Sequence, residues 1–416
     1  MNKKYTFFIV DDDPLFIQTL TRILTGHGQA ICSGAARAEA LHEIVERRPD
    51  CIILGVTDSD AKGLEFLRRL RNVSELNGTK IVTVFAHPSD QTLQKARAAG
   101  ADGSIARSVQ GDTLIRYLTE IIEGLIRFTF WGVHGTLPVP GRKTARYGGN
   151  TPCVSLRLPG DSLFVFDAGT GIKELSNFLA SENRPVTHAA ILISHPHWDH
   201  IHGLPFFGPL YTRGNSLDIF GPPNGSMSLR ELIAGQMNGV YFPINIKEFN
   251  AKVSFLDLGE EQFDLNGAAV QSIFLNHPGR CLGYRLDWGE TSFCYMTDHE
   301  LYPPSNSLYD EDYVRKLEAF IADADVLITD AAYLDEEYEG KMGWGHSSVS
   351  RATELADRAG VKKLFLFHHD LDQTDDDIDA KLEIARAVLE ERGSSTVCIA
   401  PKEGETFTVQ RKNSQE

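Results

Sequence analysis

Apolar and polar positions change period several times along the chain, and the changes mark its elements. Phe7-Phe8-Ile9-Val10 is a short apolar run that ends in Asp11-Asp12-Asp13, after which Leu15 to Leu24 carry apolar residues at helical spacing. The unit of strand, loop and helix then recurs. The pattern predicts a helix near Ala36–Arg47, a strand at Cys51–Leu54, a helix at Gly63–Arg71, a strand at Lys80–Phe85, a helix at Gln91–Ala98, a short strand near Ser104–Ala106 and a helix at Asp112–Glu123. Read as five strands alternating with five helices, residues 1–123 predict a doubly wound parallel sheet with its ligand site at the carboxyl ends of the strands.

The pattern changes beyond this point. Leu125-Ile126-Arg127-Phe128-Thr129-Phe130-Trp131 reads as a strand that follows Glu123-Gly124 without a flexible linker, so the two regions are expected to pack together. Several later strands end in glycines, at Gly132, Gly148-Gly149 and Gly169, which are read as turns. The run Ala189-Ala190-Ile191-Leu192-Ile193 reads as a buried strand and ends in Ser194-His195-Pro196-His197-Trp198-Asp199-His200-Ile201-His202. Four imidazoles and a carboxylate beside an apolar strand cost desolvation unless something satisfies them. Imidazole nitrogen with carboxylate oxygen is the donor mixture of a zinc, iron or manganese site, and further His and Asp residues recur downstream at strand ends.

Length and charge sharpen the picture. At 416 residues the chain exceeds one ordinary core, and two domains are expected, 1–123 and 124–416. No apolar run reaches the roughly 18 residues of a membrane span, and the start leads straight into a strand, so a cytoplasmic location is expected. Six scattered cysteines without a CxxC pair read as reduced, mostly buried thiols. Residues 1–123 carry 15 Lys+Arg and 16 Asp+Glu, so nearly all of the net charge of -16 lies in the His-rich part. That balance disfavours a long polyanion as ligand and favours a small one.

Residues 1–123 resemble a response-regulator receiver domain, through Asp11 and Asp12, Pro49-Asp50-Cys51-Ile52-Ile53-Leu54, Gly63-Leu64, Phe85-Ala86 and Arg107. The resemblance implies a magnesium-binding acidic pair at Asp11 and Asp12 and a phosphorylated aspartate at a position that here is Gly55. Phe85 stands where a switch Thr or Ser belongs, and Arg107 where a lysine belongs. Glycine has no oxygen to phosphorylate, phenylalanine no hydroxyl, and guanidinium is a broad fork in place of a compact ammonium, so the phosphorelay is expected to be lost. Asp58 and Asp60 follow in the loop but are not expected to face Asp11 and Asp12. In the plainer reading the triple Asp favours a helix N-terminus. Such a pseudo-receiver is expected to serve regulation or docking, towards a signalling protein or a second copy of the chain, with gating of the second domain as a further alternative that the sequence leaves open.

The HxHxDH arrangement of His195, His197, Asp199 and His200, with Asp167-Ala168-Gly169-Thr170-Gly171 before it, resembles the metallo-β-lactamase fold superfamily of hydrolases over about 125–407. The implied fold class is α/β throughout, a flavodoxin-like doubly wound receiver followed by an αββα metallo-β-lactamase sandwich. By the family pattern His195, His197 and His277 hold one metal, and Asp199, His200 and His368 the other. The Asp298 carboxylate lies between them. His277 follows the strand Ala269–Leu275, Asp298 follows Ser292–Met296, and His368 is preferred over His369 because it directly ends Lys363–Phe367. Two divalent ions are implied, zinc first, with manganese and iron as alternatives. They share a water whose pKa falls towards neutrality, so that metal hydroxide is the nucleophile. Flavodiiron oxygen reductases of the same fold place a glutamate where His197 stands, which argues for hydrolysis here.

Trp344-Gly345-His346-Ser347-Ser348 resembles the phosphodiesterase branch, which includes tRNA 3'-processing enzymes. There the histidine acts as general acid or phosphate donor, so His346 joins Asp199 as a catalytic candidate; the plainer alternative is a helix cap near Ser347. Phe130-Trp131-Gly132, Tyr147-Gly148-Gly149-Asn150-Thr151 and His197-Trp198-Asp199-His200 also resemble a cyclic-nucleotide phosphodiesterase-like branch, whose usual Arg is His134 here. His134 is read as a buried or supporting group before a substrate contact. No Gly/Lys-rich arm lies between His202 and Leu256, which with the acidic balance disfavours tRNA. Phe206, Phe207, Tyr211, Tyr241 and Phe242 are candidates for an aromatic rim on which a base stacks, or for plain core. His202 and His299 adjoin ligands and are read as supporting groups. The expected substrate is a small phosphodiester, cyclic nucleotide-like or a short nucleotide. The alternatives are hydrolysis of a thioester, lactone or β-lactam, and a non-catalytic, metal-stabilised docking protein.

Overall fold

A computed structural model of the chain describes residues 4–57, 61–86, 90–109, 111–160, 162–182, 186, 188–240 and 242–410. Asp58, Asp60 and Tyr241 lie outside the described residues. The chain divides into two compact units. One comprises Met1–Ile126 with Arg157–Ser162 and Ala180–His188, the other Arg127–Leu156, Leu163–Leu179 and Ala189–Glu416.

The first unit holds a five-stranded sheet of β1 (Thr6–Val10), β2 (Ala30–Ala35), β3 (Cys51–Gly55), β4 (Lys80–Phe85) and β5 (Gly103–Ala106), in the order β2-β1-β3-β4-β5. Every pairing is parallel. β3 is buried at all five positions, as a central parallel strand covered on both faces must be. Helices Pro14–Gly26, Arg37–Arg47, Ala61–Arg71, Asp90–Ala98 and Gly111–Glu123 alternate with the strands. Two apolar layers result, one with Leu20, Leu24, Leu114 and Leu118, the other with Ala40, Ile44, Leu67 and Leu70. β2 (AICSGA) is the strand to which the hydrophobic pattern assigns no range, because its small residues make no clear alternation.

The chain beyond Gly124 forms two seven-stranded sheets, which lie in the second unit apart from one or two end residues of four strands. The first consists of β6 (Leu125–Gly132), β7 (Cys153–Leu158), β8 (Ser162–Phe166), β9 (His188–Leu192), β10 (Ser216–Gly221), β11 (Lys252–Asp257) and, closing it, β19 (Thr406–Gln410). Their order is β11-β10-β9-β8-β7-β6-β19. The second runs in chain order through β12 (Gln262–Leu265), β13 (Ala268–Leu275), β14 (Cys281–Trp288), β15 (Thr291–Met296), β16 (Val326–Asp330), β17 (Lys363–Phe367) and β18 (Val397–Ile399). β12 to β15 are antiparallel and β15 to β18 parallel.

Phenylalanines interlock the two sheets. Phe128 of β6 meets Phe293 of β15 and Phe365 of β17 edge-on at ring distances of 5.4 and 5.3 Å, and Phe166 of β8 lies 5.1 Å from Tyr295. Such pairs contribute about 0.5–1.5 kcal/mol each beyond the area they bury. Helices Glu311–Ile321, Val349–Arg358 and Asp375–Glu391 pack their apolar faces on the outside of the second sheet. Phe178 of helix Ile172–Ser181 packs on Trp131 from the outside of the first. The layers are therefore helix, sheet, sheet, helix. Cys51, Cys153, Cys281, Cys294 and Cys398 are free and buried, and among the described residues no helix is long and apolar enough to cross a membrane.

Candidate metal centre and receiver pocket

The strands of the second unit stop where the chemistry begins. β9 ends shortly before His195, β13 before His277, β15 before Asp298 and β17 before His368; β13, β15 and β17 run the same way in their sheet, so rigid backbone delivers these side chains at one edge. Asp298 (φ 47°) and His368 (φ 58°) both sit in the left-handed region, as does Asp167 (φ 57°) at the end of β8. Non-glycine residues hold that conformation only where the surroundings impose it.

The expected ligands fall into two groups, and a third set, Asp298, Asp330, His346 and His368, overlaps the second. His195, His197 and His277 each offer one nitrogen within a common 4.8 Å, and Asp199, His200, Asp298 and His368 do the same with one atom each. Asp298 faces both. Its Oδ1 lies 3.3 Å from His200 Nε2 and 3.2 Å from His368 Nε2, while Oδ2 lies 3.6 Å from His195 Nε2 and 3.9 Å from His277 Nε2. Asp199 Oδ2 closes the second group, 3.1 Å from His200 Nε2 and 3.2 Å from His368 Nε2. The buried Nε2 atoms of His195 and His200 have no hydrogen-bond partner. Buried imidazole nitrogens left bare and aimed at shared carboxylates fit divalent cations, and the bridging carboxylate fits two of them.

A layer of hydrogen bonds sets the ring orientations. Asp167 Oδ2 accepts from His200 Nδ1 at 2.7 Å and from the Tyr295 hydroxyl at 2.8 Å, and Asp167 Oδ1 accepts from the Ser194 amide at 2.7 Å. His277 Nδ1 donates to the Gly345 carbonyl at 2.9 Å. Each bond places the ring hydrogen on Nδ1 and leaves Nε2 a lone pair. Glycine is needed at 345, where φ is +89° and a Cβ would stand 2.4 Å from His277 Nδ1, and at 135, where it would stand 2.1 Å from His368 Cε1. Burial pushes the His195 pKa well down. For Asp298 burial favours the neutral acid, but the neighbouring His200 and His368 outweigh it and hold the carboxyl well below its usual range.

His346 adjoins both groups. Its ring stacks on His368 at 4.8 Å and lies 5.2 Å from His277, and its Nδ1 is 2.7 Å from Asp330 Oδ2. Burial alone would lower the His346 pKa, yet Asp330 lifts it to about 9. Asp330 ends β16, is fully buried, and accepts from the Ser347 and Ala332 amides through Oδ1 at 3.0 Å each. The following helix starts at Val349 with Ser348 as its N-cap, so the His346 ring is not the cap of that helix and faces Asp330 instead. The loop before it hangs on buried Glu300, which accepts from the Gly343 and Gly345 amides and from the Tyr338 hydroxyl.

His369 turns away from the cluster. Its Nδ1 lies 2.7 Å from the Lys381 ammonium, which also donates to the carbonyls of Ala331 (2.8 Å) and Ala332 (3.1 Å). Complete burial brings the Lys381 pKa down to about 7. His134 and His299 are fully buried outside both groups, and burial lowers each to about 4. His202 Nδ1 bonds the Trp198 carbonyl. Phe207 is core, whereas Phe206 is 53% exposed. Sequence reasoning missed Asp330, Glu300, Lys381 and the part played by Asp167. Asp330 was within reach, since it ends the apolar run Val326–Thr329 as the other donors end theirs; Lys381 has no such signal.

In the receiver unit Asp11, Gly55 and Arg107 converge. Arg107 bonds Asp11 Oδ2 at 2.5 Å, and a Cβ at position 55 would fall 1.8 Å from that same oxygen. The Asp11 carboxylate thus occupies the space of a side chain at 55, and guanidinium supplies its counter-charge. Asp12 pairs with Arg37 at 2.7 Å, Asp13 caps helix Pro14–Gly26, and Phe85 is buried in the core.

The comparisons agree with this architecture. Residues 163–369 match the family model of the beta-lactamase superfamily domain, and residues 7–119 that of the response regulator receiver domain. A Ribonuclease Z of Exiguobacterium sibiricum is 26% identical over 312 residues, covering 64% of this chain and 95% of its own length. A Ribonuclease Z of Picrophilus torridus is 25% identical, covering 58% and 85%. The metallo-beta-lactamase fold protein YhfI of Bacillus subtilis superposes with a TM-score of 0.50 at 17% identity, covering 68% of this chain and all of its own. The chain therefore carries a receiver-like fold followed by a metallo-β-lactamase fold, and residues 163–369 match the domain model of the beta-lactamase superfamily.

Proposed function

We propose that the chain is a binuclear metal-dependent phosphodiesterase acting on a small phosphodiester, with domains at 1–123 and 124–416. In this reading His195, His197 and His277 hold one divalent ion, and Asp199, His200 and His368 the other, with Asp298 between them. Zinc suits the donors best, with manganese or iron as alternatives. When bound, two such ions supply a water of lowered pKa and positive charge for the oxygens on phosphorus. One observation carries the choice of phosphodiester: an imidazole, His346, tied to the buried Asp330 carboxylate and stacked on His368. Thioester or lactam hydrolysis on the same donors does not need it.

Water oxygen joins phosphorus, the bond from phosphorus to the leaving oxygen breaks, and a proton from His346 Nε2 reaches that oxygen, giving a phosphomonoester and an alcohol. Asp330 orients His346 through Nδ1 and offsets its charge. The Ribonuclease Z relatives support phosphodiester chemistry, while the acidic balance of the larger unit supports a short substrate. The buried free thiols fit a reducing compartment such as the cytoplasm. The receiver takes no phosphoryl group and serves as a docking or regulatory surface. The test is a panel of bis-p-nitrophenyl phosphate, cyclic nucleotides and dinucleotides with the metal-loaded full chain. Cleavage that falls in His346→Ala at unchanged metal content is expected. Turnover of thioesters, lactones or β-lactams, with none of the diesters, would overturn the proposal.

A further inference from the structure

The chain has four tryptophans, and their exposure divides them sharply. Trp131 is buried and Trp288 half-buried, whereas Trp198 is 80% and Trp344 62% exposed. Indole is seldom left in water without a purpose, because its large apolar face gains most from being covered. Both exposed tryptophans stand in the chain within two residues of a histidine of the candidate metal cluster. Trp198 follows His197, the exposed member of the first histidine group, so the cluster opens to solvent on that side. Trp344 precedes Gly345, whose carbonyl accepts from His277, and lies two residues before His346. The His277 ring is 5.1 Å from His197 and 5.2 Å from His346, so the residues next to Trp198 and Trp344 in the chain meet at one imidazole.

The backbone beneath each indole is held firmly. The Trp198 carbonyl accepts from the His202 amide at 2.8 Å and bonds His202 Nδ1 at 2.5 Å. The Trp344 amide donates to the Lys341 carbonyl at 3.2 Å, and Glu300 holds the amides of Gly343 and Gly345. Two flat apolar faces on rigid supports, beside a centre for phosphodiesters, match a substrate that carries a planar ring next to its phosphate.

We propose that Trp198 and Trp344 are stacking platforms that select phosphodiesters bearing a nucleobase or other aromatic ring over those bearing only alkyl or sugar groups. The inference rests on the phosphodiesterase reading for the chemistry, but the platforms act by binding alone. A base stacked on an indole raises affinity by about 5- to 150-fold, whichever base it is. Discrimination between bases is therefore small, and that between base and no base is large. The net negative charge of the larger unit disfavours a long strand and favours a ligand of one or two bases.

The experiment uses the metal-loaded full chain with adenosine 5'-monophosphate and ribose 5-phosphate as probes, read by tryptophan fluorescence and by inhibition of diester cleavage. The nucleotide is expected to quench fluorescence and to bind about tenfold or more tighter than the sugar phosphate. Trp198→Ala and Trp344→Ala are each expected to shrink that ratio at unchanged metal content, while Leu308→Ala, an exposed apolar residue elsewhere, leaves it alone. Equal binding of the two probes, or a ratio insensitive to both tryptophans, would overturn the proposal. So would a change in oligomer mass in the tryptophan variants at an unaltered probe ratio, which would make the surface a protein interface. Failure of the phosphodiesterase reading looks different: no diester is cleaved, yet the nucleotide still quenches and binds through the two rings.

Discussion

Asp330→Asn is the substitution that tests the site most directly. It preserves shape and leaves an oxygen for the Ser347 and Ala332 amides, but removes the charge facing His346 Nδ1 at 2.7 Å. With Nδ1 donating to Asp330, transfer of a proton from Nε2 requires the doubly protonated ring, which the carboxylate favours and an amide does not. A charge-assisted hydrogen bond of this length on a buried acceptor contributes about 1.5–3 kcal/mol. At about 1.4 kcal/mol per decade of rate, kcat is expected to fall about 10- to 150-fold. The loss should be larger on a dinucleotide than on bis-p-nitrophenyl phosphate, because p-nitrophenolate departs without help whereas an alkoxide needs a proton. Metal content, measured by elemental analysis, should not change. Because the two residues act as a unit, Asp330→Asn combined with His346→Ala should be no slower than His346→Ala alone. Wild-type kcat in Asp330→Asn, or additive losses in the double variant, would refute the reasoning.

Other outcomes follow from the same geometry. Elemental analysis of the reconstituted chain should find two metal equivalents, and fewer in Asp298→Ala, because that carboxylate faces both groups; chelation should abolish cleavage and lower the melting temperature. Lys381→Met leaves two carbonyls and the His369 nitrogen without their donor, and should lower stability in urea by about 2 kcal/mol; an unchanged midpoint would mean that the buried ammonium costs as much as its bonds return. Gly55→Asp drives a Cβ against Asp11 and should destabilise the receiver unit by about 1–3 kcal/mol in denaturant unfolding. Acetyl phosphate should leave the intact mass of the wild-type chain unchanged, and a stable adduct of one phosphoryl group would show that another side chain replaces the missing aspartate.

The local pattern by itself determined the elements and most of the donors. Apolar runs such as Ala189–Ile193 and Lys363–Phe367 are legible as buried strands, and His195, Asp298 and His368 stand out because a polar ligand directly after such a run has no role in strand formation. Gly55 and Arg107 likewise mark, by residue type alone, where the chain departs from the receiver pattern. Tertiary structure decided what depends on separate stretches meeting. Whether His368 or His369 enters the cluster turns on a single left-handed residue and on Lys381 from a helix beyond, neither visible in the run itself. The pairing of His346 with Asp330, 16 positions earlier, exists only because β16 and the loop after residue 341 end at the same place. Arg107 neutralises Asp11 from 96 positions away, in space that Gly55 leaves open. Periodicity reports which face of an element is buried, but the partner of a buried charge is chosen by the packing of strand ends, and that information is non-local.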